Sequence, residues 1–381
     1  MTKKTNIQLA SRDACTGCAA CASVCHTNSI TMREDNEGFL QPHIDADTCI
    51  NCHKCEKTCP IVSPITIPTD FETQAYAAIN KDEDVRMRSN SGGMFHALAK
   101  WTIEQGGVVF GARFNEQWEV VHDYTETLEG IEPFMRSKYV QSRIGDSFKK
   151  VKQFLEQGRR VLFVGTPCQI GGLKAYLHKE YEKLIAVDII CHGVPSPKVW
   201  RKYLKEITNG ETLVNVVFRN KEGGWIDGSR CVIKMKKKEL SERYGENSYV
   251  VGFENSLFLR RCCYRCHFKT LQRHADITIA DSWGIQVYCP SMFDNKGTSL
   301  LLEHSEIGKK IIDSLPDLEK QKVEISDALQ YNKRALKSVP LSKKRSVFFF
   351  LNTLLSVQNN VKCAKYYSKI YKKLNKIIMK I

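Results

Sequence analysis

Half of the sixteen cysteines lie within the first 59 residues, in two copies of one spacing. In each copy the cysteines are separated by two, two and three residues. The eight positions are Cys15, Cys18, Cys21, Cys25, Cys49, Cys52, Cys55 and Cys59. Three thiolates at positions i, i+3 and i+6 of a tight loop can bind three corners of a cubane. The spacing therefore predicts two 4Fe–4S clusters.

The fourth cysteine of each copy is expected to cross to the other cluster, as in bacterial two-cluster ferredoxins. The predicted ligand sets are Cys15, Cys18, Cys21 and Cys59 for one cluster, and Cys49, Cys52, Cys55 and Cys25 for the other. Zinc knuckles also use the Cys-x2-Cys spacing, but the doubled pattern favours iron–sulfur clusters. Between the copies, the sequence predicts the hairpin of two short strands that a ferredoxin half-unit requires.

Residues 73–190 have the pattern of an α/β domain, with buried strands alternating with helices. The turn Ser91-Gly92-Gly93 stands between a predicted strand and an amphipathic helix, Met94–Glu104. Backbone N–H groups at such a helix start suit a phosphate or the edge of a flavin ring. A plain helix start with Ser91 as the cap is the alternative. The later predicted elements are helix 148–156, strand 160–165, helix 170–180 and strand 184–190.

A third group of cysteines is spread along this second region. Cys168 and Cys191 each follow a predicted strand, and ligands bind α/β sheets at the carboxyl ends of the strands. Cys263 and Cys266 add another Cys-x2-Cys pair. We infer that these four thiols meet and hold a third 4Fe–4S cluster. Zinc and four free thiols remain as alternatives.

Several separated motifs over about residues 10–300 resemble the beta subunit family of coenzyme F-420-reducing hydrogenase and F-420 dehydrogenases. The motifs are Ser91-Gly-Gly, Ser137-Lys-Tyr-Val-Gln-Ser, Gly165-Thr-Pro-Cys-Gln, Asp188-Ile-Ile-Cys-His-Gly-Val-Pro-Ser-Pro, Phe218-Arg-Asn-Lys, Cys263-Tyr-Arg-Cys and Ala275-Asp-Ile-Thr-Ile-Ala-Asp-Ser-Trp-Gly. The resemblance implies an iron–sulfur flavoprotein, usually carrying FAD. Relatives without the N-terminal ferredoxin still hold one 4Fe–4S cluster, which supports the third cluster here.

The resemblance also implies roles for eight residues near a flavin. Ser91, Gly92 and Gly93 would form the turn against the cofactor. Lys138 would be a cationic contact near the isoalloxazine or its phosphates, with an ordinary surface lysine as the alternative. The remaining implied residues are Arg219 and Lys221 as cofactor or substrate contacts, and Asp281 and Trp283 as residues that close the site.

The net charge of +15 divides into two parts. Residues 328–381 carry 13 Lys and Arg and no Asp or Glu, whereas the rest of the chain carries 44 basic and 42 acidic groups. A nucleic-acid-binding protein would need a basic stripe across its folded body, so a nucleic-acid role is not expected. Neither an apolar signal segment nor a run long enough to span a bilayer is visible. Cysteine-rich chains of the cytoplasm use their thiols for metal or redox chemistry, and we expect that location.

The basic C-terminal segment is predicted to be helical and amphipathic. Apolar residues recur every three or four positions from Val361 to Ile381, while the lysines fall mostly elsewhere. A basic amphipathic helix is typical of a membrane surface or a partner-binding segment. Residues 347–381 are therefore expected either to contact anionic lipid at the inner membrane face, or a partner, or to pack on the protein's own body.

The sequence thus predicts a bacterial-type 2×4Fe–4S ferredoxin domain, an α/β flavin-binding domain and a helical basic tail. The expected regions are 1–65, 72–155, 156–327 and 328–381. The predicted function is an oxidoreductase that passes electrons between 4Fe–4S clusters and FAD and acts on an organic acceptor, coenzyme F-420-like or sugar-linked in polysaccharide biosynthesis. A ferredoxin or a hydrogenase or dehydrogenase subunit is the expected redox partner. The alternative is an electron-transfer or assembly subunit, without its own substrate site, of a larger glycan-synthesis or hydrogenase-type complex that could associate with the membrane.

Overall fold

The N-terminal region contains a hairpin and two short helices. The computed structural model describes residues 5–67 and 70–366. Its first elements are α1 (Ala20–Val24), β1 (Ile30–Glu34), β2 (Leu40–Ile44) and α2 (Lys54–Lys57). β1 and β2 pair antiparallel, which confirms the predicted hairpin. The Asp35 carboxylate accepts hydrogen bonds from the Glu37 and Phe39 backbone N–H groups and so fixes the turn between the strands.

The two copies of the cysteine spacing fold alike. In each copy the residue before the second cysteine has a left-handed backbone, Gly17 at φ 71° and Asn51 at φ 55°. The residue after the second cysteine does as well, Ala19 at φ 61° and His53 at φ 57°. A short helix then begins in each copy. The repeated spacing is therefore matched by a repeated loop conformation, which turns successive cysteines toward one side.

The second region is built on an eight-stranded mixed sheet. Its strands are β3 (Gln74–Asn80), β4 (Val108–Phe114), β5 (Val120–Thr125), β6 (Val161–Gly165), β7 (Leu184–Ile189), β11 (Ile277–Asp281), β12 (Ser299–Glu303) and β13 (Leu318–Val323). The strand order is β13-β3-β12-β11-β7-β6-β4-β5. Strands β11, β7, β6 and β4 pair in parallel, so their carboxyl ends share one edge. β3 has the same direction, because two antiparallel pairings separate it from β11.

Helices cover both faces of this sheet. The helices between its strands are α3 (Glu83–Arg88), α4 (Met94–Glu104), α5 (Ser147–Glu156), α6 (Pro167–Leu177) and α10 (Glu306–Ser314). Alternate residues of each strand enter different cores, as the two-residue period of a strand requires. Phe110 and Phe163 pack with α5 and α6, whereas Val109 and Leu162 pack with α4 and α10. Cys18 and Ala20 join the first of these cores, so the N-terminal region lies on the α5–α6 face.

A smaller sheet packs with the remaining long helices. It contains β8 (Leu213–Asn220), β9 (Arg230–Met235) and β10 (Glu239–Arg243), and its helices are α7 (Pro197–Thr208), α8 (Ser248–Glu254), α12 (Arg345–Leu351) and α13 (Val357–Tyr366). Two further helices of the described residues are α9 (Ile285–Tyr288) and α11 (Ile325–Tyr331). Trp200 and Tyr249 are fully buried at the centre of this core. The sequence had given no sign of this second sheet.

Two local predictions were wrong, and one alternative interpretation is excluded. α6 begins at Pro167 rather than after the strand's exit turn, because Thr166 and Gln169 form a capping box. The cap of α4 is Gly93, at φ 89°, and Ser91 instead donates its hydroxyl to the Thr298 carbonyl. The final described helix runs through positions 359–360 rather than starting after them.

The beginning of the basic segment packs on the body of the protein. Val357, Val361 and Ala364 of α13 are buried in the core around α7 and α8. The predicted boundary after residue 327 falls inside α11. The remainder of the predicted amphipathic helix, residues 367–381, lies outside the described residues. Within residues 5–67 and 70–366, no helix is both long and apolar enough to cross a bilayer.

Candidate metal and cofactor sites

The first predicted ligand set lies together beneath α6. Burial, together with the nearby charges of Cys15 and Cys59, raises the pKa of the Cys18 thiol to about 11. Burial also raises the pKa of Cys21, and the same three cysteines add to the shift. All four thiols are therefore close enough to interact, although Cys59 comes from the other copy of the spacing. This proximity is what the predicted crossed ligand set requires, and the ligand roles themselves stay a prediction.

The second predicted set lies nearer to solvent. Burial raises the pKa of Cys55 to about 11, and Cys52 contributes to the shift as a neighbour. Cys49 is buried, with the Thr5 hydroxyl 3.7 Å from its sulfur. Cys25 ends α1, which packs against the helix that carries Cys55. All sixteen cysteines lie in the described part of the chain, and Cys52 alone among them is exposed.

The third group converges at the carboxyl ends of two neighbouring parallel strands. Cys168 lies in the first turn of α6, directly after β6, and Cys191 follows β7. Cys263 lies in a short 3-10 helix that ends before Cys266. The four side chains line one pocket. The structure thus brings together residues that stand 98 positions apart in the chain.

The charges around this pocket suit a cationic group. Burial raises the pKa of Cys168 well above its usual value, and the nearby thiols of Cys266, Cys191 and Cys263 raise it further. Burial likewise raises the pKa of Cys191 to about 12, against the opposing charge of Lys269. Four buried thiolates repel one another unless a positive centre binds them. The donor set therefore fits the irons of a cluster, which bind cysteines as thiolates.

A single metal ion makes a different demand from a cluster. Among the described residues, no group of three or more His, Cys, Asp or Glu side chains is arranged to hold one ion. Zinc requires its ligands to converge at about 2.3 Å from a point. In a cubane, each of the four cysteines binds a different iron, so the thiolates surround a volume.

The N-terminal cysteines and the third group are close neighbours. Ala14 and Thr16, in the first cysteine loop, line the same pocket as Cys168. A Cβ added at Gly172 would lie 2.9 Å from the Cβ and Sγ atoms of Cys18. Gly172 is one helical turn after Cys168, a rise of about 6 Å along α6. Glycine is therefore needed at position 172 to let the first ligand set approach the third.

Buried polar contacts hold the N-terminal region in this position. The Arg260 guanidinium donates to the carbonyls of Cys15 and Leu40 and to the Gln141 side chain. Arg345 makes two hydrogen bonds to the Glu37 carboxylate, at 2.9 and 2.6 Å. The Arg345 side chain is only 3% exposed. No local sequence pattern points to these contacts, because the arginines and their partners lie at distant positions in the chain.

The predicted flavin residues of the glycine turn pack against the sheet. A Cβ at Gly92 would lie 2.3 Å from the Ala78 carbonyl oxygen, so the turn follows β3 closely. Lys221 donates to the carbonyls of Ser91 and Lys296, at 2.6 and 2.5 Å. Burial lowers the pKa of Lys221 to about 7. The structure thus joins Ser91 and Lys221, as expected for residues of one site.

A second cluster of predicted residues surrounds Arg219. Its guanidinium donates to Asp281 at 2.7 Å and lies 4.9 Å from the centre of the Trp283 ring. Trp283 in turn stacks on Trp225, with ring planes 2° apart. Burial alone would lower the pKa of Arg219, but the charge of Asp281 holds it above its ordinary value. The other carboxylate oxygen of Asp281 is buried and has no hydrogen-bond partner among the described residues.

Lys138 is held by its own loop rather than by this cluster. Its ammonium donates to the carbonyls of Pro133, Met135 and Arg136, and burial lowers its pKa to about 7. It is therefore not the surface lysine of the alternative interpretation. The next residue, Tyr139, lies close to Arg219: burial raises the pKa of Tyr139, and the charge of Arg219 opposes this rise.

Two tyrosines near Arg219 were not among the predicted site residues. Tyr244 lies 5.7 Å from the Arg219 guanidinium and shares a hydrogen bond with Tyr139. Tyr139 stands inside one of the quoted motifs, so that motif held the signal for it. Tyr244 lies in a separate segment after β10 and had no such signal. Together with Trp283, these rings enclose the guanidinium.

The residues around Arg219 fit a flavin in their chemistry. An isoalloxazine offers a flat face for stacking and N–H and C=O groups at its edge. Trp283 offers an indole face, Arg219 offers donors, and the unpartnered oxygen of Asp281 offers an acceptor. The nearby Lys221 adds a buried amine, and the start of α4 after the turn at Ser91 adds backbone N–H groups suited to a phosphate.

Family comparisons agree with both halves of this arrangement. Residues 14–62 match the model of the 4Fe-4S dicluster domain. Residues 158–329 match the model of the C terminus of the coenzyme F420 hydrogenase/dehydrogenase beta subunit. The second match contains all four cysteines of the third group. The predicted N-terminal ferredoxin domain is thereby confirmed, and the chain is an iron–sulfur protein of an oxidoreductase type.

Individual relatives are distant. The chain is 27% identical over 191 residues to the coenzyme F420-dependent sulfite reductase of Methanocaldococcus jannaschii. That match covers 48% of this chain and 28% of the relative. A chain of the F420-reducing [NiFe] hydrogenase complex from Methanosarcina barkeri has a TM-score of 0.47 and 15% identity, over 71% of this chain and 94% of that one. Residues 158–329, somewhat less than half of the chain, are thus similar to the C terminus of the coenzyme F420 hydrogenase/dehydrogenase beta subunit.

Proposed function

We propose that this protein is an iron–sulfur flavoprotein oxidoreductase that passes electrons between three 4Fe–4S clusters and FAD. The observation that carries the proposal is the pocket shared by the third cysteine group and the first N-terminal cysteine loop. The clusters, when bound, supply one-electron transfer, and FAD supplies the change between one-electron steps and hydride transfer. The chain's own residues supply spacing, burial and charge.

The N-terminal cysteines differ in exposure in a way that suits this role. Cys52 is exposed and its neighbour Ile50 is 58% exposed, so the second ligand set lies at the surface. Cys18, of the first set, is buried against α6. A redox partner such as a ferredoxin or a hydrogenase or dehydrogenase subunit would therefore meet the set that contains Cys52.

The residues around Arg219 and Lys221 would hold the flavin. Arg219 would orient the ring edge, and Asp281 would accept a hydrogen bond from a ring N–H group. Trp283 would cover one face and exclude water. Lys221 and the turn at Ser91 would bind the phosphates, with Gly92 and Gly93 allowing the backbone to approach closely. Lys138 would act on this site through its loop and through Tyr139.

The substrate proposed for this site is a small organic acceptor. The matching family and the sulfite reductase relative are both named for coenzyme F420, so an F420-like deazaflavin is the first candidate. A sugar-linked acceptor of polysaccharide biosynthesis is the other. Cytoplasmic location and contact of the final residues with anionic lipid are parts of the same proposal.

The hydrogen bonds of Lys138 favour a second candidate function, that of an electron-transfer or assembly subunit. Lys138, an implied flavin contact, already donates to three backbone carbonyls of its own loop. A chain that transfers electrons or assists assembly within a larger complex, without its own substrate site, needs no such contact.

Anaerobic purification of the full chain followed by an acceptor panel tests the proposal. We expect a brown protein with about twelve iron atoms and one FAD per chain. Its flavin, once reduced, should be reoxidised by at least one organic acceptor. Flavin reduction without turnover of any acceptor supports the electron-transfer role. A colourless protein that binds only zinc contradicts both functions.

A further inference from the structure

A second cavity lies beside the third cysteine group and is separate from the proposed flavin site. Its volume is about 240 Å³, slightly below the range of pockets that bind drug-sized ligands, so it suits a smaller molecule. One wall is the segment that joins the two regions, including Ile61, Ile65 and Ile67. The opposite wall is residues 267–274. None of the proposed flavin residues lines it.

The cavity adjoins the third group directly. Pro167, His267 and Phe268 line both pockets, and each is next to, or close in sequence to, one of the cysteines. A ligand in the second cavity would therefore be separated from the cysteine pocket by one layer of side chains. Its apolar wall of isoleucines, prolines and Phe268 suits a hydrocarbon or aromatic body.

One cation at the base of the cavity is poorly satisfied. Arg273 lines the cavity and is only 6% exposed. Its Nη1 atom is 3.4 Å from the Asp188 carboxylate and its Nη2 atom is 3.2 Å from the Ala335 carbonyl, both long contacts. Its Nε atom is buried and has no partner within the described part of the chain. A guanidinium has five donors, and a buried donor without a partner is costly.

Asp188 does not compensate this cation fully. Its carboxylate is 1% exposed and takes its short hydrogen bond, 2.5 Å, from the Thr278 hydroxyl rather than from Arg273. Burial also raises the pKa of Asp188, which disfavours its charged form. His274, on the same wall, is held neutral near pH 7 because burial lowers its pKa to about 4. Asp188 also lines the cavity, so Arg273 is a buried cation there whose ion pair is long and whose Nε atom has no partner among the described residues.

We propose that this cavity is a binding site for a small organic carboxylate. The carboxylate would pair with Arg273, because guanidinium and carboxylate groups form strong charge-assisted hydrogen bonds. The apolar body of the ligand would lie between Ile65 and Phe268. The site is defined by the joining segment as well as by the α/β domain, so it exists only when both regions are in place. It does not depend on which acceptor the flavin site takes.

Calorimetry on the anaerobically purified full chain tests this site with benzoate as the probe and benzyl alcohol as its neutral analogue. We expect benzoate to bind at least tenfold more tightly than benzyl alcohol. Ile65→Trp, which fills the cavity without changing a charge, should weaken benzoate binding at least tenfold. Val62→Trp is the matched control on the same segment, since Val62 is 42% exposed and should leave binding unchanged.

Arg273→Gln adds a test of the charge. If the variant folds, it should bind benzoate and benzyl alcohol about equally. The proposal is overturned if the unmodified chain does not bind benzoate, if it binds the two probes equally, or if Ile65→Trp binds benzoate as the unmodified chain does. Because the Ile65 and Val62 variants do not touch the buried arginine, a misfolded Arg273 variant does not prevent the test.

Discussion

The N-terminal cysteines and the third cysteine group reach similar arrangements by opposite routes. The first eight lie within 45 positions of one another, on loops whose backbone repeats from copy to copy. The third four come from three separate segments and meet because β6 and β7 are parallel neighbours. Local spacing alone positions the first type of site, whereas the second requires the complete sheet.

This contrast has consequences for stability. Loss of one N-terminal cysteine removes a ligand from a loop that the sheet does not need. Loss of a cysteine in the third group leaves the remaining half-buried thiols around a pocket of the α/β domain. The two regions nevertheless depend on each other, because Arg260 and Arg345 bind the N-terminal region to the body. Single substitutions can distinguish effects on one cysteine site from effects on the contact between the N-terminal region and the body.

The largest effect is expected from Cys191→Ser. This change removes one proposed ligand of the third group and should lower the iron content from about twelve to about eight atoms per chain. The N-terminal clusters should remain, because their ligands are untouched. Iron analysis and EPR of the reduced protein measure both quantities.

Cys231→Ser is the matched control for this variant. Cys231 is buried within β9 and belongs neither to the N-terminal ligand sets nor to the pocket of the third group. It should retain all of the iron. An unchanged iron content in Cys191→Ser would contradict the assignment of the third group as cluster ligands.

Glu37→Gln should loosen the N-terminal region from the body. Breaking a buried ion pair by removing one partner costs roughly 3–5 kcal/mol, because the other charge stays buried. We expect faster proteolysis in the joining segment 61–70, measured at a fixed low urea concentration. Glu246→Gln, at an exposed position, is the control. Equal cleavage rates in the two variants would show that the Glu37–Arg345 pair does not hold the regions together.

Gly172→Ala tests the contact between the first ligand set and α6. The added Cβ would meet the Cβ and Sγ atoms of Cys18 at 2.9 Å, and overpacking of this kind costs roughly 1–3 kcal/mol. The thermal midpoint should fall, and the EPR signal of the first cluster should change more than that of the second. Gly245→Ala is the control, since no atom lies within 4 Å of its added Cβ. Identical spectra for the two variants would contradict the close approach.

The smallest expected effect is that of low pH on the contact between Glu37 and Arg345. Burial alone would raise the pKa of Glu37, but the hydrogen bonds and charge of Arg345 lower it below 4.5. A carboxyl group whose pKa is depressed by folding stabilises the folded state above its unfolded pKa, and this contribution is lost as pH falls through its folded pKa. Proteolysis of the joining segment should therefore accelerate only below about pH 4.5, and this acceleration should be smaller in Glu37→Gln. A uniform response in both proteins would exclude Glu37 as the group responsible.

The predictability of the sites from sequence follows the same division. The eight N-terminal cysteines were predicted as ligands because their spacing is local. The proximity of Cys168 and Cys191 was predicted because the ends of strands can be recognised from hydrophobic runs. The Glu37–Arg345 pair joins residues 308 positions apart, so no local pattern could reveal it. Tyr244 and the sheet β8–β10 were missed for the same reason. The alternative interpretation of Ser91 as the cap of α4 is excluded, because Gly93, with its left-handed backbone, takes that position.

The central claim is that four cysteines from separate segments hold a third cluster next to the N-terminal pair. A redox titration of the anaerobically purified full chain, followed by EPR and combined with iron analysis, tests it most directly. The account predicts about twelve iron atoms per chain and three one-electron reductions, one for each cluster. The EPR signals should show magnetic interaction between neighbouring reduced clusters. About eight iron atoms and two reductions would contradict it.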